Sequence, residues 1–101
     1  MPKLYTYFGL IVMFYSNEHE PVHVHGKYQG RESKAELIFQ NGELAEIHYV
    51  RVQGKRPLAG SELQHFKELV EAKAEDIRDK WIAFFVDNME IQCEHITRRL
   101  K

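Results

Sequence analysis

At 101 residues, the chain is long enough for one small domain, and 44% hydrophobic with 12% aromatic residues supplies one core without disulfide staples. Fourteen Lys and Arg residues against fifteen Asp and Glu residues leave a formal net charge of −1, so no overall field points to nucleic acid or to a membrane surface. The single cysteine, Cys93, excludes an internal disulfide, and with no secretion signal or bilayer-length apolar run the sequence predicts a cytoplasmic protein.

The first two strands are predicted from two different patterns of apolar residues. Residues 8–15, FGLIVMFY, are almost uninterrupted apolar, which predicts one central strand buried on both faces. Residues 22–28 alternate with period two, which predicts a strand with its valines towards the core and His23, His25 and Lys27 on the opposite face.

A turn and a hairpin are predicted to complete the sheet. Residues 30–33 are predicted to turn the chain into a third strand, residues 34–40. Asn41-Gly42 between apolar runs predicts a hairpin, because a type I′ turn needs positive φ at both central residues. The fourth strand is then predicted at residues 44–52.

Helical periodicity takes over near residue 60. Ser61 is predicted to cap a helix, with Gln64 completing a capping box. Apolar residues then recur at spacings of three and four as far as Phe85, the stripe of an amphipathic helix. Periodicity alone does not separate one long helix from two short helices that divide near residues 73–76.

The tail, residues 90–100, is predicted to form a short terminal strand. The sequence therefore predicts one domain, residues 1–101, of the α+β class. A four-stranded, mostly antiparallel meander would be followed by one long or two short helices and a C-terminal strand.

The stretch NEHEPVHVH, residues 17–25, contains His19, Glu20 and His23 in an H-E-x-x-H pattern. In zinc proteases this pattern lies on a helix, where both histidines reach one metal ion. Pro21 removes a backbone donor and pushes the preceding residue towards extended dihedral angles. The sequence therefore argues against a helical zinc protease.

His23 and His25 nevertheless share one face of a predicted strand, with Cα atoms about 6.5 Å apart. His19 or Glu18 in the adjoining loop completes a three-ligand site with an open position, suited to a divalent transition metal such as Zn, Ni or Fe. Two other interpretations stay open. The histidines face solvent or hydrogen-bond a neighbouring strand, or one of them transfers protons without a metal.

A sheet that is covered by helices on one face leaves its other face to be explained. That face is predicted to carry Lys27, Lys34 and Glu36 beside the histidines, which is too polar for a core. Edge strands can also accept a strand from another chain. These three residues are therefore predicted to bind a partner protein or a second copy of the chain.

The stretch YFGLIVMFYSNEHEPVHVHGKY, residues 7–28, resembles the start of the small bacterial proteins grouped as domain-of-unknown-function family 4160. Their signature is an aromatic-Gly pair, an apolar strand, and a histidine motif with prolines. The matching positions are Phe8, Gly9, Glu18, His19, Pro21, His23, His25 and Tyr28. Val22 replaces a second proline and Val24 replaces an aromatic residue, and the helix ending in Trp81 also resembles the family.

The resemblance implies no established activity, cofactor or catalytic residue. Members are often encoded beside another small domain of unknown function and are suspected of forming toxin-antitoxin-like pairs. The resemblance therefore implies a small partner protein encoded nearby. Together with the polar sheet face, it favours a non-enzymatic binding module, and the alternative is a metal-dependent hydrolase or nuclease that uses the histidine cluster.

Overall fold

The computed structural model describes residues 2–15 and 21–100 of the chain. It contains six strands and two helices in these described ranges: β1 (Lys3–Tyr7), β2 (Leu10–Met13), β3 (His23–Tyr28), β4 (Arg31–Gln40), β5 (Glu43–Arg51), α1 (Gly60–Ala72), α2 (Ala74–Phe85) and β6 (Glu94–Ile96). None of the described helices is long and apolar enough to cross a bilayer.

The six strands form a single sheet in the order β5-β4-β3-β2-β1-β6. The strands from β1 to β5 pair antiparallel with their neighbours, whereas β6 pairs parallel to β1. The predicted α+β class and the mainly antiparallel pairing are confirmed. The predicted count of four strands is wrong, because the described residues form six.

The extra strand at the start comes from a turn that the apolar run conceals. Phe8 and Gly9 both have positive φ, 49° and 86°, as the central residues of a type I′ hairpin require. The predicted strand at residues 8–15 is therefore shortened to β2, and β1 is a further strand that was not predicted. β1 precedes this turn and β2 follows it.

The second hairpin lies earlier than predicted. Gln29 and Gly30 are its central residues, with φ of 46° and 81°, so the predicted turn at residues 30–33 is wrong. Glu32 consequently lies in β4, directly opposite Lys27 of β3. The predicted turn at Asn41 and Gly42 is confirmed, with φ of 54° and 83° between β4 and β5.

The helical half consists of two helices rather than one. They divide at Lys73, which lies between the last residue of α1 and the first residue of α2. The predicted cap at Ser61 is wrong, because α1 begins at Gly60 with Ala59 in the capping position. The Ser61 hydroxyl instead donates a hydrogen bond of 2.6 Å to the Glu62 carboxylate within the helix. The predicted C-terminal strand is confirmed as β6.

Both helices pack on one face of the sheet. The Phe66 ring of α1 lies directly over Gly26, and the Trp81 ring of α2 lies edge-on against Phe14, with ring centroids 5.2 Å apart. The core between the layers is apolar, and its fully buried members include Leu4, Tyr5, Tyr7, Leu10, Val12, Phe14, Val24, Ala35, Phe66, Leu69, Val70 and Ile77.

The face of the sheet away from the helices is called the far face below. Side chains of cross-strand partners lie on the same face of a sheet. The pairs Met13↔His25, His25↔Lys34 and Lys27↔Glu32 therefore place these five side chains together on the far face. The strand register therefore places four polar or charged side chains beside Met13 at the centre of the sheet.

Candidate functional site

His23 and His25 lie at the start of β3, and both are buried, with 7% and 6% of their surface exposed. Their ring centroids are 5.5 Å apart. The His23 ring also contacts Trp81 at 5.2 Å, and the edge of the Tyr15 ring contacts His25 at 4.5 Å. The expected strand is confirmed, but these rings are packed among aromatic side chains rather than turned to solvent.

Each of the two imidazoles is oriented by a hydrogen bond at Nδ1. His23 Nδ1 donates to the Pro21 carbonyl oxygen at 2.7 Å, and His25 Nδ1 donates to Glu32 Oε2 at 2.9 Å. In a neutral ring this fixes the proton on Nδ1 and the lone pair on Nε2. Metal-binding histidines usually show this arrangement, with a carbonyl or carboxylate behind the ring.

Glu32 is the centre of a buried polar group that also includes Tyr15 and His25. Its Oε2 accepts hydrogen bonds from His25 and from the Tyr15 hydroxyl, the latter at 2.9 Å. Only 1% of Glu32 is exposed, and within the described residues its Oε1 has no hydrogen-bond partner. We call Tyr15, His25 and Glu32 the His-Glu-Tyr cluster.

Sequence reasoning predicted His25 as a site residue but missed Glu32 and Tyr15. The misplaced turn at residues 30–33 put Glu32 outside the sheet, where it had no register with β3. The dipeptide Gln29-Gly30 was the available signal, because a two-residue turn there sets Lys27 opposite Glu32. His25 then lies diagonally across from Glu32, within reach of a long side chain.

The structure brings together two of the four predicted metal ligands, His23 and His25. The other two, Glu18 and His19, lie outside the described residues. Residues 2–15 and 21–100 contain no group of three or more His, Cys, Asp or Glu side chains that could hold a metal ion. His23 and His25 fit a metal by their chemistry, since both rings are oriented through Nδ1.

The predicted partner-binding residues are all on the far face but fall into two groups. Lys34 and Glu36 form an ion pair of 3.5 Å near the middle of β4, and their side chains are 29% and 26% exposed. Lys27 instead lies over the Tyr15 ring, 5.7 Å from its centroid. Lys27 therefore belongs to the surroundings of the His-Glu-Tyr cluster.

A second buried carboxylate, Glu68, lies on the helix side of the sheet. Arg99 binds both of its oxygens, at 2.6 and 3.3 Å, and the Tyr7 hydroxyl donates to it at 3.1 Å. The hydrogen bonds from Arg99 lower the pKa of Glu68. Since the main-chain N–H of Leu100 also donates to the Tyr7 hydroxyl, this group fastens the end of the chain to α1.

Tyr5, Asp76 and Lys80 form a further hydrogen-bonded group, with Asp76 in the first turn of α2. The Tyr5 hydroxyl donates to Asp76, and Lys80 forms an ion pair with the same carboxylate at 2.5 Å. Burial raises the pKa of Asp76, but hydrogen bonds from Lys80 and Tyr5 outweigh it and leave that pKa below its ordinary value. Burial and the Asp76 carboxylate raise the pKa of Tyr5. This group ties α2 to β1.

The His-Glu-Tyr cluster differs from these two groups in what it can do chemically. A neutral histidine whose Nδ1 donates to a carboxylate has its lone pair on Nε2, the atom that binds a metal ion or accepts a proton. The carboxylate of this cluster also has a buried oxygen without a donor among the described residues, whereas neither Glu68 nor Asp76 has one, and such an oxygen calls for an explanation. The cluster and its surroundings therefore form the candidate functional site.

Comparison with protein families gives one match. The model of the family described as "Domain of unknown function (DUF4160)" matches residues 9–82, a range that holds β2 to β5, α1 and most of α2. The match includes the His-Glu-Tyr cluster and ends before β6. Searches of the curated proteins and of the solved structures gave no significant match.

Proposed function

We propose that this chain, which belongs to the DUF4160 family, is a non-enzymatic binding module for a small partner protein. The observation that carries the proposal is the open edge of the sheet at β5. This strand has nine residues, and it forms one end of the strand order. An edge of this length can accept a strand from a partner through main-chain hydrogen bonds.

The far face beside this edge carries charges of both signs. Lys34 and Glu36 of β4 lie opposite Val50 and His48 of β5, and the His48 and Glu46 side chains are 3.7 Å apart. A partner strand paired to β5 would extend this pattern with its own alternating charges. Such complementarity selects the partner and its register more than it adds affinity.

The edge is also shaped to resist indiscriminate pairing. The register between β4 and β5 shifts between Ile38 and Phe39, a local bulge that increases twist. Exposed Glu43 and Glu46 add charge to the strand. Bulges and charges on edge strands oppose aggregation, so we expect β5 to pair with a specific chain rather than with any available strand.

Co-expression with the product of the neighbouring reading frame tests this proposal. We expect a stable complex on size-exclusion chromatography with light scattering, burying on the order of 1,200 Å² or more. Lys34→Glu should weaken the complex by about tenfold, since it places like charges beside Glu36 on the contact face. Lys3→Glu is the matched control, because Lys3 is exposed on β1 near the opposite end of the sheet.

Two other results of the same experiment would reject the proposal. A chain that is monomeric alone and does not retain the neighbouring product on an affinity column has no such partner. Equal weakening by Lys3→Glu and Lys34→Glu would show general charge effects instead of a surface at β4 and β5.

Self-association of the chain alone would assign the edge to a homodimer. A toxin-antitoxin-like pair would further make growth depend on which of the two products is expressed.

The Nδ1 hydrogen bonds of His23 and His25 favour a second candidate, a metal-dependent hydrolase or nuclease. His23 and His25 would bind a divalent transition metal such as Zn, Ni or Fe through Nε2, with His19 or Glu18 as a further ligand. The bound metal would supply an activated water molecule. Glu32 would orient the His25 ring from behind.

Calorimetry on chelator-treated protein tests the metal site directly. We expect binding near neutral pH that weakens as the imidazoles protonate, together with a higher melting temperature when metal is present. The double variant His23→Ala, His25→Ala should lose both effects, and His48→Ala, on exposed β5, should keep them. Absence of binding by Zn, Ni and Fe at micromolar concentrations would remove this candidate.

A further inference from the structure

A cleft with a volume of about 220 Å³ lies beside the His-Glu-Tyr cluster, between the turns at Gly9 and Gly30. The residues that line it include Ile11, Lys27 and Glu32, which are cross-strand neighbours on β2, β3 and β4. Arg31 and Lys55 are also among its lining residues. The cleft therefore combines three cationic side chains with one buried carboxylate.

The three cations of this cleft have no ion-pair partner within residues 2–15 and 21–100. Two of them are nevertheless held in place. The Arg31 guanidinium donates a hydrogen bond of 3.1 Å to the Pro57 carbonyl oxygen, and the Lys27 ammonium lies over the Tyr15 ring. Cations that are positioned without a carboxylate partner favour an anionic ligand, and a phosphate group accepts from several such donors at once.

Glu32 places a second requirement on that ligand. Its side chain is buried, and among the described residues nothing donates to Oε1. A buried acceptor without a donor lowers stability, and each such group in a folded protein calls for an explanation. A simple anion would be repelled by this carboxylate. A hydroxyl on the ligand would instead supply the missing donor.

We propose that the cleft binds a small phosphate monoester that carries a hydroxyl group. The phosphate lies among Lys27, Arg31 and Lys55, and the hydroxyl donates to Glu32. The volume suits a ligand of about the size of glycerol 3-phosphate, smaller than the sites of drug-sized ligands. Gly9 and Gly30 at the rim have no side chain, and Gly30 has open space around its Cβ position. This binding activity goes beyond the proposed partner-binding function and does not depend on it.

Titration of the full-length protein with glycerol 3-phosphate, followed by NMR, tests this inference. We expect the amide signals of Gly9, Lys27 and Gly30 to shift at millimolar ligand. Inorganic phosphate should bind more weakly, because its hydroxyl groups are on the phosphorus atom and it has no separate alcohol to donate to Glu32 while the phosphate lies among the cations. Glycerol should not bind. If these amides do not shift, or if inorganic phosphate binds as tightly as glycerol 3-phosphate, the inference is wrong.

Charge variants separate the cleft from general attraction of anions. Lys55→Met should weaken glycerol 3-phosphate binding by about tenfold, the usual cost of a lost hydrogen bond to a charged group. Lys3→Met is the matched control, because it removes the same charge from an exposed position on β1 outside the cleft. Equal weakening by the two variants would reject the cleft as the site.

Glu32→Gln tests the role assigned to the carboxylate. The amide keeps the size of the side chain but removes the negative charge. We expect the preference for glycerol 3-phosphate over inorganic phosphate to fall by about tenfold, while inorganic phosphate binds at least as tightly as before. An unchanged preference would contradict the contact with Glu32. If this variant does not fold, Lys27→Met compared with Lys3→Met gives the same decision on the cleft.

Discussion

Glu32 is a buried carboxylate, although a carboxylate normally remains in water. Its burial is tolerated because Oε2 accepts two hydrogen bonds, from Tyr15 and His25. Glu32→Ala removes this acceptor, whereas Glu32→Gln keeps an oxygen in the same place. We expect the alanine variant to be less stable than the glutamine variant by about 1 to 3 kcal/mol.

Urea unfolding of the two Glu32 variants measures this difference in the free energy of unfolding. Equal stability of the two would mean that the Oε2 hydrogen bonds add nothing to the fold. In that case the carboxylate would be retained for its chemistry alone.

At Gly26 the backbone of the sheet lies close to α1. A Cβ atom at this position would lie 2.7 Å from Cδ1 of the Phe66 ring, which is itself fully buried. Gly26→Ala should therefore force the ring or the helix to move, at a cost of about 1 to 3 kcal/mol. Thermal or urea denaturation of the purified variant measures this loss.

The control for this clash is a double-mutant cycle with Phe66→Leu. A smaller side chain at residue 66 gives the new methyl group room, so the two losses should not be additive. Strict additivity would place the cost of Gly26→Ala in the strand backbone instead of at the Phe66 ring.

At the scale of elements, three tight turns set the register of the sheet. Each has a glycine as its second central residue, and each places a non-glycine residue with positive φ before it: Phe8, Gln29 and Asn41. Asparagine adopts positive φ readily, but phenylalanine and glutamine do so less often. The Asn41 turn could therefore be identified from both of its central residues, whereas at the other two turns only the glycine was a signal.

The C-terminal segment is held to the domain by side chains more than by its short strand. Arg99 forms its paired hydrogen bonds with Glu68 of α1, and Thr6 is hydrogen-bonded to His95 at 2.8 Å. Ile96 and Leu100 also pack against the core. β6 is thus fastened at several points to β1 and α1.

The Arg99 contact makes the stability of this segment depend on pH. Because Arg99 lowers the pKa of Glu68 in the folded state, the contact stabilises the protein above the ordinary Glu value of about 4.5. That contribution is lost as pH falls through the lowered pKa of the folded state. Arg99→Ala should therefore destabilise the protein at pH 7, and the difference from the wild-type chain should shrink in acid.

Urea unfolding of both chains at neutral and acidic pH gives the comparison. Arg98→Ala is the matched control, because Arg98 is the adjacent, exposed arginine and has no ion pair within the part of the chain that the structure describes. A difference between wild type and Arg99→Ala that is constant with pH would show that the arginine acts by packing, and not by its charge.

At the scale of the whole molecule, the sheet has two different edges. β5 is long and open, whereas the edge of β1 is covered by β6 in parallel pairing. Removal of residues 94–101 would expose the β1 edge and remove Arg99 from the buried Glu68 carboxylate. We expect this truncated chain to unfold at lower temperature and to self-associate as its concentration rises, because an uncovered edge pairs with other strands.

Light scattering at several concentrations, together with a melting curve, measures both effects. A truncated chain that stays monomeric and keeps the wild-type melting temperature would show that β6 neither protects the edge nor supports the core.

The sequence by itself determined the elements whose signals are local. Period-two alternation identified β3, Asn41-Gly42 identified the hairpin between β4 and β5, and helical spacing identified the region of α1 and α2. These predictions succeed because a turn residue or a side-chain period acts within a few neighbouring positions. The division at Lys73 was left open, since both alternatives keep Ile77 towards the core.

Only the tertiary structure decided what the far face of the sheet contains. His23 and His25 were predicted to share a strand face. In the structure, the Pro21 carbonyl oxygen and the Glu32 carboxylate accept their Nδ1 hydrogen bonds, and the Tyr15 ring packs against His25. Tyr15 and Glu32 reach His25 through strand register, and one misplaced turn removes that register from any sequence-based prediction. The cleft depends on still longer separations, since Gly9, Lys27 and Lys55 meet only after the sheet has formed. Pairing between distant strands follows from the packing of the whole sheet on its helices, and no local pattern encodes it.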